Sequence, residues 1–266
     1  MFNVANIIKK YNLVTKKKFG QNFLVDENLL DKIVSVAGDL NGNNILEIGP
    51  GPGGLTNSIL KKNPKKLISV EIDKDYFEIL KIEFDKYKNF EVINDDALQV
   101  DEKKLFNGEK FKVIANLPYN VGTALLIKWI KNIEYFQSFA LLLQKEVVER
   151  IVAKPSNKDY GRLSVLIQSL CDVKKAFDVK PTSFLPPPKV MSSVVYMEPK
   201  NINTNVDIEK LSKITLALFG QRRKKIRNAF ENLIKTSIIG ENKINVVDLN
   251  KRAEELSVEE YLSLLS

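Results

Sequence analysis

The sequence predicts an α/β fold built on a mostly parallel sheet with helices on both faces. Short apolar runs of strand length alternate with longer amphipathic segments, which is typical of repeated βαβ units. A glycine-rich segment at residues 49–54 directly follows the first of these runs, as expected for a turn between a strand and a helix. The chain has 266 residues, 44% of them hydrophobic, and can therefore bury a substantial core.

The apolar runs define the expected strands and the amphipathic segments define the expected helices. Strands are predicted at residues 45–48, 67–70, 90–93, 112–115 and 139–143. Helical patterns fill the gaps, notably at residues 73–87, 123–131 and 145–152. An earlier helix is predicted to begin after Asp26, a suitable N-cap. Its apolar face would consist of Leu29, Leu30, Ile33, Val34 and Ala37.

The second half of the chain is predicted to contain a loop, a last strand and a separate helical region. The prolines at 186–188 remove backbone donors and disfavour helix, so this stretch is expected to be an extended loop leading into a strand at 194–197. Residues 201–205 have the composition of a linker. We therefore predict a basic N-terminal arm at 1–25, a main α/β domain at 26–200 and a small helical domain at 201–266.

The charge distribution points to a polyanionic partner. The net charge is +8, and the basic residues are bunched in two places. Five lysines precede the first acidic residue, and a second cluster lies near residue 225: Lys9, Lys10, Lys16, Lys17 and Lys18, then Arg222, Arg223, Lys224, Lys225 and Arg227. Such clustering favours a nucleic acid, although solvated lysine-rich faces are about equally common on charge alone.

Composition also limits the available chemistry. With Cys171 as the single cysteine, no disulfide can form within the chain, and this residue is expected to be a small buried hydrophobe in a reducing compartment. The absence of histidine removes Ser-His and Cys-His nucleophiles and leaves too few soft ligands for structural zinc, so no metal is predicted. No apolar stretch approaches transmembrane length, so we predict a cytoplasmic protein that does not bind a membrane.

The segment Asn116-Leu117-Pro118-Tyr119 supplies the groups that an exocyclic amine on a flat base requires. The Asn116 side-chain oxygen and the Leu117 carbonyl can each accept one N–H. Those two bonds would withdraw the amine lone pair from conjugation and aim it at an electrophile. Pro118 stiffens the turn, and Tyr119 can stack on the ring. The alternative is a simple turn at the end of a strand.

The glycine-rich segment predicts a nucleoside cofactor, but its pattern fits two of them. Gly49, Gly51 and Gly54 satisfy the dinucleotide fingerprint, and Glu71 lies near the spacing of a ribose-binding acid, so NAD remains an alternative. Three features favour S-adenosylmethionine: Glu47 before the first glycine, Asp96 after the third strand, and Asn-Leu-Pro-Tyr after the fourth. A tight turn without a ligand is the remaining alternative.

Three further segments resemble one family. Residues 17–26, Lys-Lys-Phe-Gly-Gln-Asn-Phe-Leu-Val-Asp, resemble the N-terminal signature of the bacterial ribosomal RNA adenine-N6 dimethyltransferases. Residues 182–193 resemble that family's Phe-x-Pro-x-Pro-Lys-Val-x-Ser element, and residues 221–230 resemble its basic C-terminal helix. The resemblance implies a Rossmann-like, seven-stranded class I methyltransferase sheet with a reversed final strand at 194–197, and S-adenosylmethionine as cofactor.

The resemblance also implies roles for individual residues. Glu71 would bind the cofactor ribose, and Asp96, rather than its neighbour Asp95, would bind the adenine amino group. Asn22 and Leu24 match positions that close over the cofactor. Phe184 would cover the second face of the target base, although ordinary core packing is the alternative for a single aromatic residue.

The RNA contacts predicted from the resemblance lie in two segments. Arg162 begins an apolar helix and would contact a phosphate, unless it forms a salt bridge. Residues 222–227 would lie on a basic helix whose apolar face contains Ile226, Phe230 and Leu233. The implied substrate is two adjacent adenosines in a hairpin loop near the 3′ end of small-subunit ribosomal RNA, within an assembling subunit. Two alternatives remain: a large-subunit adenine methyltransferase that confers antibiotic resistance, and an RNA-binding assembly factor with incidental catalysis.

Overall fold

The computed structural model describes residues 2–13, 22–201 and 206–265. The strands in these ranges are β1 (Phe23–Leu24), β2 (Asn44–Ile48), β3 (Lys66–Glu71), β4 (Phe90–Asn94), β5 (Phe111–Asn116), β6 (Phe136–Gln144), β7 (Cys171–Val179), β8 (Phe184–Leu185) and β9 (Ser192–Pro199). The helices are α1 (Val4–Lys10), α2 (Glu27–Val36), α3 (Gly54–Leu60), α4 (Lys74–Phe84), α5 (Glu102–Leu105), α6 (Gly122–Ile130), α7 (Lys145–Val152), α8 (Arg162–Gln168), α9 (Ile208–Phe219), α10 (Arg227–Lys235) and α11 (Val258–Ser263).

Within the described residues, seven strands form one sheet in the order β4-β3-β2-β5-β6-β9-β7. Strands β2 to β6 pair in parallel, whereas β9 runs antiparallel to β6. This arrangement confirms the predicted α/β sheet with a reversed final strand. The chain adds strands on one side of β2 and then crosses to β5 on the other side, and this reversal opens a crevice at the carboxyl ends of β2 and β5.

The local sequence explains why these elements form where they do. All five residues of β2 are buried, as expected for a central parallel strand covered on both faces. Helix α2 is capped by Asp26, whose side chain accepts a hydrogen bond from the Leu29 N–H at 3.2 Å. Its apolar stripe, Leu30 and Ile33 among others, is buried in the main hydrophobic core.

The first residues differ from the aperiodic arm that the sequence predicts. Val4–Lys10 form helix α1, which is capped by the Asn3 side chain and buries Val4 and Ile7. Lys10 Nζ and the Tyr11 hydroxyl bond to one carboxylate oxygen of Glu83, at 2.6 and 2.7 Å. The periodicity is difficult to recognise because the helix has only two buried positions. The lysines at 16–18 lie outside the described residues.

Strand β7 was not predicted from the pattern of apolar residues. It is an edge strand of the sheet, and its inner residues alternate between exposed and partly buried, with lysines at 174 and 175. Charged side chains are a common feature of edge strands because they discourage pairing with another chain. The same lysines hide the strand in the sequence. Cys171 begins the strand and is buried, as predicted.

The chain folds into two compact units. One comprises Met1–Val148 with Lys174–Pro199 and contains most of the sheet. The other comprises Glu149–Val173 with Lys200–Ser266 and is mainly helical. The domain limits expected from the sequence, 26–200 and 201–266, stay a prediction. Residues 149–173 and Lys200, expected in the main domain, fall in the second unit, and the described part of the expected arm at 1–25 falls in the first.

Candidate cofactor and base-binding site

A cleft of about 300 Å³ lies at the carboxyl ends of β2, β3 and β5. Its walls contain most of the predicted cofactor and catalytic residues: Asn22, Leu24, Gly49, Gly51, Glu71, Asp96, Asn116, Leu117, Pro118 and Tyr119. These residues are distant in sequence, and the parallel strands bring them together because the carboxyl ends of such strands meet at one edge of the sheet. The structure therefore gathers both predicted motifs around one cavity.

The glycine-rich turn brings bare backbone to the cleft wall. Gly49 and Gly51 have φ values of +65° and +53°, a left-handed conformation that favours glycine. A Cβ atom on Gly51 would lie 2.9 Å from Cε1 of Phe23, so a side chain there would also collide with a second wall residue. Glycine at position 51 thus lets the turn pack closely against Phe23 at the cleft wall.

Glu71 ends β3 with its carboxylate held by two backbone groups. One oxygen accepts from the Gly51 N–H at 3.0 Å, and the other accepts from the Asp73 N–H at 2.8 Å. Burial raises the pKa of the Glu71 carboxyl to about 7, although both backbone bonds oppose the shift. Asp73 caps α4 by accepting from the Asp75 N–H, and the binding of the cofactor ribose by Glu71 stays a prediction.

Glu47 supports the glycine turn from beneath. It is fully buried in β2, and its Oε2 accepts from the Thr56 hydroxyl of α3 at 2.7 Å and from the Ser69 hydroxyl of β3 at 2.6 Å. Burial raises the pKa of this carboxyl to about 7. Glu47 does not line the cleft. It ties together the three elements that carry the turn, so its contribution to the site is structural.

The loop after β4 places Asp95, Asp96 and Ala97 on the cleft wall. Asp96 Oδ1 accepts from the Leu98 N–H at 2.9 Å, and Asp95 Oδ1 accepts from the Asp96 N–H at 2.7 Å. Lys128 fastens the loop from α6, donating to the Ala97 carbonyl at 2.9 Å and to Glu102 Oε1 at 2.7 Å. This role of Lys128 was not predicted, because nothing in its spacing links it to a loop far earlier in the chain.

Within the described part of the chain, the Asn116 side-chain oxygen and the Leu117 carbonyl have no backbone donor. Asn116 Nδ2 donates to the Asn22 carbonyl at 3.1 Å, and this bond fixes which end of the side-chain amide is the oxygen. The Leu117 N–H donates to the Leu142 carbonyl at 3.1 Å. Among the described residues, no backbone N–H bonds to the Leu117 carbonyl. The binding of a base amine by these two oxygens stays a prediction.

Phe184 occupies a different place from the other predicted catalytic residues. It is 3% exposed, belongs to the main hydrophobic core and does not line the cleft. Strand β8, which contains it, pairs with β1, so that Phe184 lies opposite Leu24. Phe184 is therefore packed in the core, which was the alternative to contact with the target base. Its contact with a base stays a prediction.

An exposed apolar residue in the cleft was not predicted. Ile72 follows Glu71 directly, lines the cleft and is 46% exposed. An isoleucine this exposed beside a ligand cleft can cover a flat apolar surface. The apolar residue immediately after the predicted ribose-binding acid was the signal for it in the sequence.

The basic segment predicted to be helical is mainly a turn. Helix α9 ends before Gly220, and α10 begins only at Arg227, so residues 222–225 are not helical. The Ile226 N–H donates to the Lys251 carbonyl at 2.9 Å, and this long-range bond replaces the helical one. The apolar face was correctly predicted, since Ile226, Phe230 and Leu233 are buried.

The basic side chains of this unit fall into two groups. Arg222 is engaged within the unit, pairing through Nε with Glu254 and donating through Nη2 to the Lys158 carbonyl at 2.5 Å. Arg162 is half-buried and donates to the Ser212 hydroxyl at 2.6 Å. Of the basic residues at 222–227, those that are exposed are Arg223, Lys224, Lys225 and Arg227.

The described residues contain neither a membrane-spanning helix nor a grouping of metal ligands. None of the helices found at residues 2–13, 22–201 and 206–265 is long and apolar enough to cross a membrane. In the same ranges, no three histidine, cysteine, aspartate or glutamate residues are grouped in a way that could hold a metal ion.

Comparisons with known proteins agree on one family. The family model described as ribosomal RNA adenine dimethylase matches residues 12–266. The chain is 44% identical to ribosomal RNA small subunit methyltransferase A of Wolbachia sp. subsp. Drosophila simulans (strain wRi), covering 97% of this chain and 94% of that protein. It is 45% identical to the protein of the same name from Agrobacterium fabrum (strain C58 / ATCC 33970), covering 98% and 95%.

Two crystal structures share the fold. A dimethyladenosine transferase from Plasmodium falciparum is similar with a TM-score of 0.78 at 28% identity, over 91% of this chain and 96% of that one. The 23S rRNA methyltransferase ErmE is similar with a TM-score of 0.69 at 22% identity, over 92% and 98%. At that identity the second likeness concerns the fold alone.

Proposed function

This chain belongs to the ribosomal RNA adenine dimethylase family and is an rRNA adenine methyltransferase, and from that membership we propose its cofactor and its target. The proposed cofactor is S-adenosylmethionine. The proposed target is the N6 atoms of two adjacent adenosines in a hairpin loop near the 3′ end of small-subunit ribosomal RNA, within an assembling subunit. The names of the two relatives support the choice of subunit, because each protein covers nearly the whole of this chain.

The cleft walls suit the nucleoside part of S-adenosylmethionine. The Glu71 carboxylate would accept hydrogen bonds from the two ribose hydroxyls, and the Asp96 carboxylate would accept one from the adenine amino group. Ile72 would cover one face of the adenine ring, and the cofactor would lie against the backbone at Gly49 and Gly51, which line the cleft. Asn22, Leu24 and Asn116 would complete the contacts. When bound, the cofactor supplies an electrophilic methyl group on a sulfonium.

The observation that carries the proposal is the orientation of Asn116. Because its Nδ2 is engaged by the Asn22 carbonyl, its Oδ1 is the atom left to accept an N–H from a base. Together with the Leu117 carbonyl, Oδ1 would hold both N–H groups of the adenine amine and direct its lone pair toward the cofactor side of the cleft. Growing positive charge on the nitrogen would be stabilised by the same two oxygens.

Two successive transfers are compatible with this pair of acceptors. The unmodified amine offers two N–H groups, and the monomethylated amine still offers one. Either Oδ1 of Asn116 or the Leu117 carbonyl can engage that remaining N–H. A strong base is not required, since the methylated nitrogen releases its proton readily to water. Tyr119 would stack on the base, with Phe184 predicted on its other face.

The exposed basic residues at 223–227 would bind RNA phosphates. Arg223, Lys224, Lys225 and Arg227 are exposed and can form such contacts, and Arg162 is predicted to add one. Arg222 was predicted with them, but its bonds within the unit favour a structural role. The predicted cytoplasmic location agrees with assembly of the small subunit and stays a prediction.

We expect Arg223→Ala and Arg222→Ala to have different effects. Arg223→Ala should weaken RNA binding and reduce the slope of log K against log salt by about one unit, because one phosphate contact is lost. Arg222→Ala should mainly lower Tm, by about 2–4 °C, because the Glu254 pair and the carbonyl bond disappear. Binding to an rRNA hairpin at several salt concentrations and thermal unfolding would measure both. An unchanged Tm for Arg222→Ala would contradict the structural role given to Arg222.

The function is tested by transfer of labelled methyl from S-adenosylmethionine to under-methylated small subunits, large subunits and naked RNA in parallel. Nucleoside analysis would then identify the product. Dimethyladenosine on small-subunit RNA is the expected result. Label on large-subunit RNA instead would favour the antibiotic-resistance type of enzyme, and tight subunit binding without transfer would favour an assembly factor.

A further inference from the structure

Tyr119 is fixed at its far end by a buried serine. The Tyr119 hydroxyl and the Ser192 Oγ lie 2.7 Å apart, so one donates a hydrogen bond to the other. Ser192 is 0% exposed, whereas Tyr119 is only half-buried and lines the cleft. The two residues are 73 positions apart in the chain. The tyrosine ring therefore borders the cleft while its hydroxyl is bound to the sheet.

Ser192 is itself rigidly placed. It is the first residue of β9 and lies opposite Gln144 in the antiparallel pairing with β6. The preceding carbonyl, that of Met191, accepts from the Lys145 N–H at 2.9 Å. The backbone at Ser192 is thus held by its pairing with β6 and by the bond of the preceding residue. Its Oγ atom can therefore act as a fixed hydrogen-bond partner for the Tyr119 side chain.

We propose that Ser192 is a positioning residue that holds the Tyr119 ring at its place on the cleft wall for stacking on the target base. The inference rests on the proposed function, in which Tyr119 contacts the adenine. The tyrosine hydroxyl lies on the long axis of its ring, so a bond to it fixes the direction of the side chain and the position of the ring, which limits where a base can stack. A misoriented ring would place the amine poorly against the Asn116 and Leu117 oxygens, and methyl transfer depends steeply on that geometry.

The adjacent serine provides a matched control. Ser193 is also 0% exposed, but successive residues of a strand point to opposite faces. Its hydroxyl donates to Asp178 Oδ1 at 2.6 Å and takes no part in the contact with Tyr119. Ser192→Ala and Ser193→Ala therefore remove equally buried hydroxyls from one strand, and only the first removes the restraint on the ring.

The test compares kcat and KM for methyl transfer to small-subunit RNA in Ser192→Ala, Ser193→Ala, Tyr119→Phe and the double variant Ser192→Ala/Tyr119→Phe. We expect Ser192→Ala to lower kcat about fivefold to tenfold, the scale of one hydrogen bond, with KM for the cofactor unchanged. Tyr119→Phe should lower kcat by a similar factor, and the double variant should be no slower than either single one. Ser193→Ala should stay within about twofold of the unchanged chain, as expected for a hydroxyl that does not touch the ring.

The outcomes separate this inference from the proposed function. Equal kcat values for the Ser192→Ala and Ser193→Ala variants, or additive losses in the double variant, would overturn the positioning role while transfer by the unchanged chain persists. Absence of transfer by the unchanged chain would overturn the proposed function as well. Should Ser192→Ala fail to fold, Tyr119→Phe removes the same bond from the other partner, and an unaltered kcat for it would also refute the inference.

Discussion

Replacing Asn116 with alanine is expected to lower kcat for adenine methylation by about 10²–10³-fold, the loss typical of removing one preorganised stabilising group. The variant keeps the Leu117 carbonyl but loses Oδ1, so the amine is held by one acceptor instead of two. It also loses the bond to the Asn22 carbonyl, which is 3.1 Å long. Cofactor affinity should change much less, by about tenfold at most, because the main ribose contact is made by Glu71.

Single-turnover transfer to under-methylated small subunits and calorimetric binding of the cofactor would measure the two effects separately. Asn120→Ala is a suitable control, since Asn120 is an exposed asparagine that also borders the cleft. It should retain transfer within about threefold of the unchanged chain, a range set by the weak effect of most surface substitutions. If the Asn116→Ala variant transferred methyl groups as fast as the Asn120→Ala variant, the proposed role of the amide oxygen would be wrong.

The sheet could be predicted from the sequence because its central strands are covered on both faces. Such strands appear as short, mainly apolar runs, as in β2 and β3, and the glycines mark the turn that follows β2. Edge strand β7 was missed because its lysines interrupt the pattern. The segment at 222–225 was wrongly predicted to be helical because its chain direction is set by a bond between Ile226 and Lys251, which local spacing does not reveal.

The site was predictable to the extent that it consists of contiguous motifs. The glycine turn, Glu71 and Asn116–Tyr119 could be identified because each is a short pattern with a chemical meaning. Lys128 and Ser192 could not, because each acts through a contact with a residue far away in the chain. The burial of Phe184 depends on the pairing of β1 with β8, which joins two-residue strands that no sequence pattern distinguishes.

The affinity for S-adenosylmethionine is expected to rise with pH up to about 7 and then to level off, because Glu71 must be ionised to accept two ribose hydroxyls. Burial raises the pKa of this carboxyl from its ordinary value of 4.5 to about 7 in the cofactor-free protein. Below that pH, binding would release a proton from Glu71, so each unit of acidification should weaken binding by up to about tenfold. Calorimetry from about pH 5.5 to about pH 8.5, in two buffers, would bracket this pKa and measure affinity and proton release together.

The sign of the same shift bears on stability. A carboxyl whose pKa is higher in the folded than in the unfolded chain stabilises the fold fully below the unfolded value, here 4.5, and this contribution is lost as the pH rises through about 7. Ionised Glu71 is therefore unfavourable in the cofactor-free protein once the pH exceeds about 7. Hydrogen bonds from the cofactor hydroxyls would stabilise the ionised Glu71 carboxylate. The cofactor should therefore stabilise the folded protein more at high pH.

Two variants distinguish Glu71 from Glu47, a buried carboxyl whose pKa burial also raises to about 7. Glu71→Gln should weaken binding at high pH by about 10²-fold, since it loses charge-assisted bonds, and its affinity should no longer depend on protonation of the protein. Burial raises the pKa of Glu47 to about 7 as well, but this residue does not line the cleft. Glu47→Gln should therefore keep the pH dependence of cofactor binding. The cofactor's own groups titrate identically with both variants. A pH dependence that survived in Glu71→Gln and disappeared in Glu47→Gln would assign the proton to the buried support of the glycine turn instead of to the ribose site.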